Sequence, residues 1–227
     1  MKEKATRLFA ITAFAFYSLV AISQLPRHEI RFGVGIGYDG HAKSILDQYV
    51  EAYGLERNPW GGDLTCSEFS AHAEYLYHFH KHWTIGGTFG AAGADSWARQ
   101  PWDEKYKASL EYSPFTYVLG GVIYALTPSS DVDIKSRSYY AIPTVMYTWY
   151  ARRTFRLYSK AGLGIQYYQL DVTSDHHLYP EKHEDRLKLA YQVSCVGVET
   201  GGERMRGFVE IGYGKQGIFN LGFLLNL

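Results

Sequence analysis

The sequence has only two cysteines in 227 residues and no excess charge of either sign, with 23 Lys and Arg against 23 Asp and Glu. With an isoelectric point near 7.1, it lacks the basic footprint that binding to DNA or RNA requires, so no nucleic-acid partner is expected. Beyond residue 22 it also lacks an apolar run long enough for a membrane helix, and mean hydropathy is only −0.24. Helical membrane spans are therefore excluded. A barrel is not, because its strands need only about 9 to 11 residues, half of them polar or small.

Aromatic residues, by contrast, are plentiful. They make up 16% of the chain, with 20 tyrosines, and they concentrate in strands and at membrane interfaces. The N-terminus reads as a secretory signal peptide. Lys2, Lys4 and Arg7 precede an uncharged, mostly apolar run from Leu8 to Ile22, and the small residues Ala21 and Ser23 suit cleavage before Gln24. No cysteine follows closely, so a lipoprotein anchor is not indicated. The expected organisation is a leader over residues 1–23 and one barrel domain over 24–227.

The C-terminal stretch sets the reading. Val209, Ile211 and Tyr213 alternate with Phe208, Glu210, Gly212 and Gly214; after a short break Phe219, Leu221, Phe223, Leu225 and Leu227 oppose Ile218, Asn220, Gly222 and Asn226. Period-two alternation predicts a hairpin with one oily face. Glycine weakens a strand unless space is needed, and glycines with hydrophilic side chains suit a narrow lumen better than an exposed surface. The oily face is therefore assigned outward. The same pattern recurs from His28 to Asp39, where Ile30, Phe32, Val34, Ile36 and Tyr38 oppose Arg31 and three glycines. It recurs again from about Thr65 to His80, Trp83 to Ala91, Ser138 to Tyr150, Phe155 to Tyr167 and Leu187 to Cys195.

The connections run long, short, very long, short, long, short, short. Such alternation predicts an all-β, antiparallel up-and-down transmembrane β-barrel with short periplasmic turns and long extracellular loops. Eight strands are expected, or ten if residues 94–137 supply two more, with Phe115 to Leu126 as a candidate. Gly40 to Asp63 and Leu170 to Arg186 read as loops, the first with a helical turn around Ser44 to Tyr53. Trp83 and Trp149 fall at predicted periplasmic strand ends, and Trp60, Trp97 and Trp102 in or near outer loops, which suits two aromatic girdles.

The segments Tyr191-Gln192-Val193-Ser194, Gly197-Val198-Glu199, Gly207 to Gly214 and Gly217-Ile218, with Leu157-Tyr158-Ser159 and Gly162-Leu163-Gly164, resemble the small outer-membrane β-barrels of Gram-negative bacteria, the porin-like family of OmpA/OmpX-type barrel domains. The resemblance is best over the C-terminal third. It implies a cell outer-membrane location and handling by the barrel-assembly machinery, for which such chains usually end in an aromatic residue. This one ends in Leu227, with Phe223 as a substitute.

The expected lumen-lining polar residues are Arg31, His72, Glu74, His78, Arg156, Lys160, Lys188, Gln192, Glu199 and Glu210. Both charge signs are present, so these groups either pair into a polar plug or line a narrow path for solutes or ions. Ser70, His72 and Glu74 have the residue types of a hydrolytic triad, which leaves a lipid hydrolase open. Neighbours two apart on a strand are about 6.5 to 7 Å apart at the backbone, however, too far for a ready relay. His78, His80 and His82 stand at every second position, an arrangement open to zinc or copper, but no carboxylate or cysteine accompanies them. No cofactor or catalytic residue is assigned. Cys66 and Cys195 fall on non-neighbouring strands, and no disulfide is expected. The sequence therefore points to a structural or surface-interaction barrel. Its expected partners are outer-membrane lipid, lipopolysaccharide and an extracellular ligand. A channel, a lipid hydrolase and a soluble lipocalin-like barrel are the alternatives.

Overall fold

A computed structural model describes residues 28–57, 66–100, 131–174 and 179–227. The leader, Trp60, Trp102, Phe115 to Leu126, His176 and His177 lie outside these. Strands β1 (His28–Tyr38), β3 (Ser67–His78), β4 (Trp83–Arg99), β5 (Val132–Ala151), β6 (Phe155–Ser174), β7 (Lys182–Gly201), β8 (Met205–Gly214) and β9 (Phe219–Asn226) pair antiparallel, each with its neighbours. β9 returns to β1, Phe223 facing Phe32, and the ring of eight is closed. β4 pairs β5 directly from Trp83↔Tyr147 to Ala98↔Val132. No strand intervenes there, so the ten-strand alternative is excluded. A two-residue strand, β2 (Glu56–Arg57), joins the upper edge of β4.

The exterior is oily and the interior polar. Phe32, Phe89, Leu163, Leu187 and Leu221 are exposed, while Glu29, Arg31, Glu199 and Glu210 are 0% exposed. A soluble lipocalin-like barrel requires the reverse, so that alternative falls. Short turns at 79–82, 152–154 and 202–204 gather at one end of the barrel, the turn end. The other, the loop end, is uneven: β4 to β7 rise well past the others, because β8 stops at Gly214, where it faces Gln192 of β7.

Two readings as loop are corrected. The stretch after Asp39 is a 14-residue helix, α1 (Gly40–Tyr53). Asp39 caps it by accepting hydrogen bonds from the His41 and Ala42 N–H groups at 3.0 and 3.1 Å, and Gly54 ends it in the left-handed region at φ 63°, as caps of these types do. Residues 170–186 are largely strand, since β6 continues to Ser174 and β7 begins at Lys182. Likewise 94–99 and 132–137, inside the stretch least legible from sequence, extend β4 and β5. Ile218 is 47% exposed. It sits in the turn before β9 and not on the inward face expected for it.

The projecting wall and α1 enclose their own apolar core. Ala42, Ile45, Leu46 and Tyr49, spaced as one helical stripe, pack with Ala98, Val132, Ile134, Tyr168, Leu170 and Val172. Cys66, the one non-glycine described residue with positive φ (73°), turns the chain back into β3. Its carbonyl accepts the Asp39 N–H at 3.1 Å, and its thiol accepts a hydrogen bond from Ser96 Oγ at 2.9 Å.

Candidate functional site

Alternation places Arg31 (β1), His72, Glu74 and His78 (β3), Arg156 and Lys160 (β6), Gln192 and Glu199 (β7) and Glu210 (β8) inside the ring, all buried. Lys188 sits higher, at the mouth, its Nζ 3.9 Å from the centre of the Tyr168 ring. Arg31 is the hub. Its guanidinium pairs with Glu29 and Glu199, donates to Tyr158 Oη at 2.8 Å and reaches Glu210 at 3.4 Å. Tyr158 in turn donates to Glu210 at 2.7 Å. Arg156 reaches Glu29 at 2.9 Å and Glu199 at 3.3 Å. Lys160 joins Glu74 at 2.6 Å to Glu210 at 2.9 Å. Four carboxylates, Glu29, Glu74, Glu199 and Glu210, thus meet Arg31, Arg156 and Lys160, with Arg206 3.8 Å from Glu199. Burying a charge this deeply is tolerable only when it is paired, and here charges of both signs span the section of the barrel.

Above this network the β8–β9 turn folds inward. Gln216 donates from Nε2 to Glu74 at 2.5 Å, and its carbonyl accepts from Ser70 Oγ at 2.6 Å. Its backbone N–H reaches Gln192 Oε1 at 2.9 Å, while Lys215 pairs with Glu68 at 2.6 Å. The inserted turn requires Gly35, since a Cβ there would lie 1.8 Å from the Gln216 carbonyl oxygen. Glu29 and Gln216 are absent from the expected lumen set, whereas Tyr158 lies on the inward face expected for it. Glu29 is signalled only by standing two residues before Arg31, and Gln216 sat in a stretch read as a bare turn.

The chemistry of a hydrolase is not assembled. Ser70 is engaged by Gln216, Glu74 by Lys160, and neither ring nitrogen of His72 has a hydrogen-bond partner among the described residues. The alternating histidines do not share one side. β3 ends at His78, which points inward to Glu29 at 3.0 Å and Thr84 at 2.7 Å, whereas His80 and His82 stand in the turn with ring centres 6.0 Å apart. No cluster of metal ligands occurs among the described residues. Cys66 is buried near the loop end and Cys195 exposed on the outer surface of β7, and both are free.

At the mouth, a cleft of about 240 Å³ is lined by Asp39, Glu68, Tyr168, Lys188, Tyr191 and Lys215 among others. Burial pushes the Asp39 carboxyl up, but hydrogen bonds from the Ala42 N–H and the Tyr168 hydroxyl, with the nearby Lys215 charge, help to outweigh it and hold the group below the usual range. On the outer surface of the projecting wall, hydrogen bonds to Asp171 and then Asp185 raise the imidazole of His183 above its ordinary pKa.

No protein-family model matches the sequence, and no curated protein matches it. Among solved structures, the chain is similar to the N-terminal β-barrel domain of Pseudomonas aeruginosa OprF, at 11% identity over 89% of this chain and 98% of that one, with a TM-score of 0.43. It is also similar to Yersinia pestis Ail in complex with the heparin analogue sucrose octasulfate (12%, 88% and 92%, 0.39) and to P. aeruginosa OprG (13%, 89% and 90%, 0.37).

Proposed function

We propose that this chain is a closed barrel of the Gram-negative outer membrane whose work is done at its capped outer end, not through its lumen. The observation that supports this is the inversion of polarity. On β5 the outward residues Tyr139, Ala141, Pro143, Val145, Tyr147 and Trp149 form an apolar run, as long as the 9 to 11 residues that a tilted strand needs to cross a bilayer. Enclosed behind it is the ion network. In this reading residues 1–23 direct export, the barrel-assembly machinery inserts residues 24–227, and bilayer lipid and lipopolysaccharide surround the belt. The turn end then faces the periplasm and the loop end the exterior.

The role is structural or recognitional. The mouth cleft and the α1 cap are where an extracellular ligand meets the protein, and no enzymatic step is assigned. A solute path would require separating Lys160 from Glu74 and withdrawing Gln216, at the cost of unpaired buried charge. The test is conductance in planar bilayers. Reconstituted protein that migrates faster on gels before heating than after, the sign of a folded barrel, is expected to leave the bilayer silent. Regular unitary steps from such protein would establish the channel instead.

A further inference from the structure

The three turns that close the turn end all carry exposed bases: Lys81 in the first, Arg152 and Arg153 in the second, Arg204 in the third. Among these turns the one carboxylate is Glu203, which pairs with Arg153 at 2.7 Å. The nearby Glu29 is enclosed in the lumen. The outer wall at the opposite end shows no such bias, since Asp133, Lys135, Arg137, Asp171 and Asp185 mix both signs.

A second observation fixes the depth of these bases. Directly beside the turns, Trp83 and Trp149 flank Tyr147 edge-on, with ring centres 4.9 and 4.8 Å away, and the Arg152 guanidinium lies 5.6 Å from the centre of the Tyr150 ring. Strand pairing shifts register at three adjacent places here, near Trp149, Ser159 and Cys195. The Trp149 indole N–H donates to Ser159 Oγ at 2.9 Å, and the Ser159 hydroxyl donates to the Cys195 carbonyl. The Ser159 hydroxyl, itself held by the Trp149 indole, thus satisfies a carbonyl on the exposed outer face of the barrel, which lipid alone would leave bare. Trp and Tyr settle at the level of lipid headgroups, so the neighbouring bases reach the phosphates.

We propose that the turn end is a binding surface for anionic phospholipid headgroups of the adjoining leaflet, their phosphodiesters meeting Lys81, Arg152 and Arg204. This rests on the membrane reading, and the experiment separates the two. A variant retaining only Trp83 and Trp149 as tryptophans is placed in phosphatidylethanolamine vesicles containing a minority of phosphatidylglycerol, with brominated acyl chains on one lipid or the other. Per brominated lipid, quenching by phosphatidylglycerol is expected to be about two-fold stronger than by phosphatidylethanolamine. The preference should fall to parity in high salt and in the K81Q/R152Q/R204Q variant. Parity with the native turns overturns the proposal, as does a preference that survives the triple substitution. Absence of quenching by both lipids overturns the membrane reading itself.

Discussion

Strands β5 and β6 each pass through two regions that obey opposite rules, and β7 follows them on its outer face. Below the level of Tyr139, Tyr167 and Leu187, oily side chains face out, and Thr144, Lys160 and Gln192 face in. Above it, Lys135, Asp171 and Asp185 face out, while Val132, Ile134, Leu170 and Val172 face in against α1. The register aligns the crossover, with Tyr139 opposite Tyr167 and Tyr167 opposite Leu187, and in the rows above them Arg137 opposite Gln169 and Gln169 opposite Asp185. Alternation continues without a break across the crossover itself. What changes is the solvent, because the backbone supplies two faces and the medium outside decides which is apolar.

If the lower region is held by enclosed charge, Arg31→Ala should be the most damaging single change. It takes one partner each from Glu29, Glu199 and Glu210, leaving Arg156 and Lys160 to offset four buried carboxylates, and a loss of about 3–5 kcal/mol is expected, read from urea unfolding of the folded barrel in detergent. The upper region should fail differently. Leu46→Ala opens a cavity in the α1 core worth about 2–5 kcal/mol, yet the barrel should keep its heat-modifiable migration while amide exchange quickens only over residues 42–49. A belt substitution sharpens the boundary: Leu163→Arg should cost about 2–4 kcal/mol at mid-bilayer depth, whereas Thr173→Arg on the same strand should be nearly silent in the same unfolding assay.

The smallest effect expected is pH-dependent. The folded pKa of His183 is raised, so its pairing with Asp171 and Asp185 steadies the β6–β7 tip fully below the ordinary imidazole pKa and is lost as pH rises through the raised value. A histidine titration by NMR should show this shift, and Asp171→Asn should reduce it.

The same comparison explains what the sequence disclosed. The outward sets of β1, β3 and β8 are legible because, Leu76 and Phe208 apart, glycine or polar residues oppose the oily ones. The upper parts of β5 and β6 are not, because Val132, Ile134, Leu170 and Val172 lie on the face that is polar lower down. Under a single inside-out rule their alternation looks out of phase and reads as loop. The helix was half visible: Asp39 and the stripe Ala42, Ile45, Leu46 and Tyr49 carry its signal, but nothing local states that a projecting strand wall will cover that stripe. Individual lumen residues were legible as a face and not as a network, since the partners of Arg31 come from β1, β6, β7 and β8 and meet only when the ring closes.

The most direct test is to walk a spin label along the outward positions of β5 from Asp133 to Trp149, in reconstituted protein with Cys66 and Cys195 replaced by Ala, comparing collision with dissolved oxygen and with a water-soluble nickel chelate. Labels at 133, 135 and 137 should meet nickel, and those from 139 to 147 should meet oxygen and exclude nickel, the change falling between Arg137 and Tyr139. Nickel access throughout the lower positions would contradict the account.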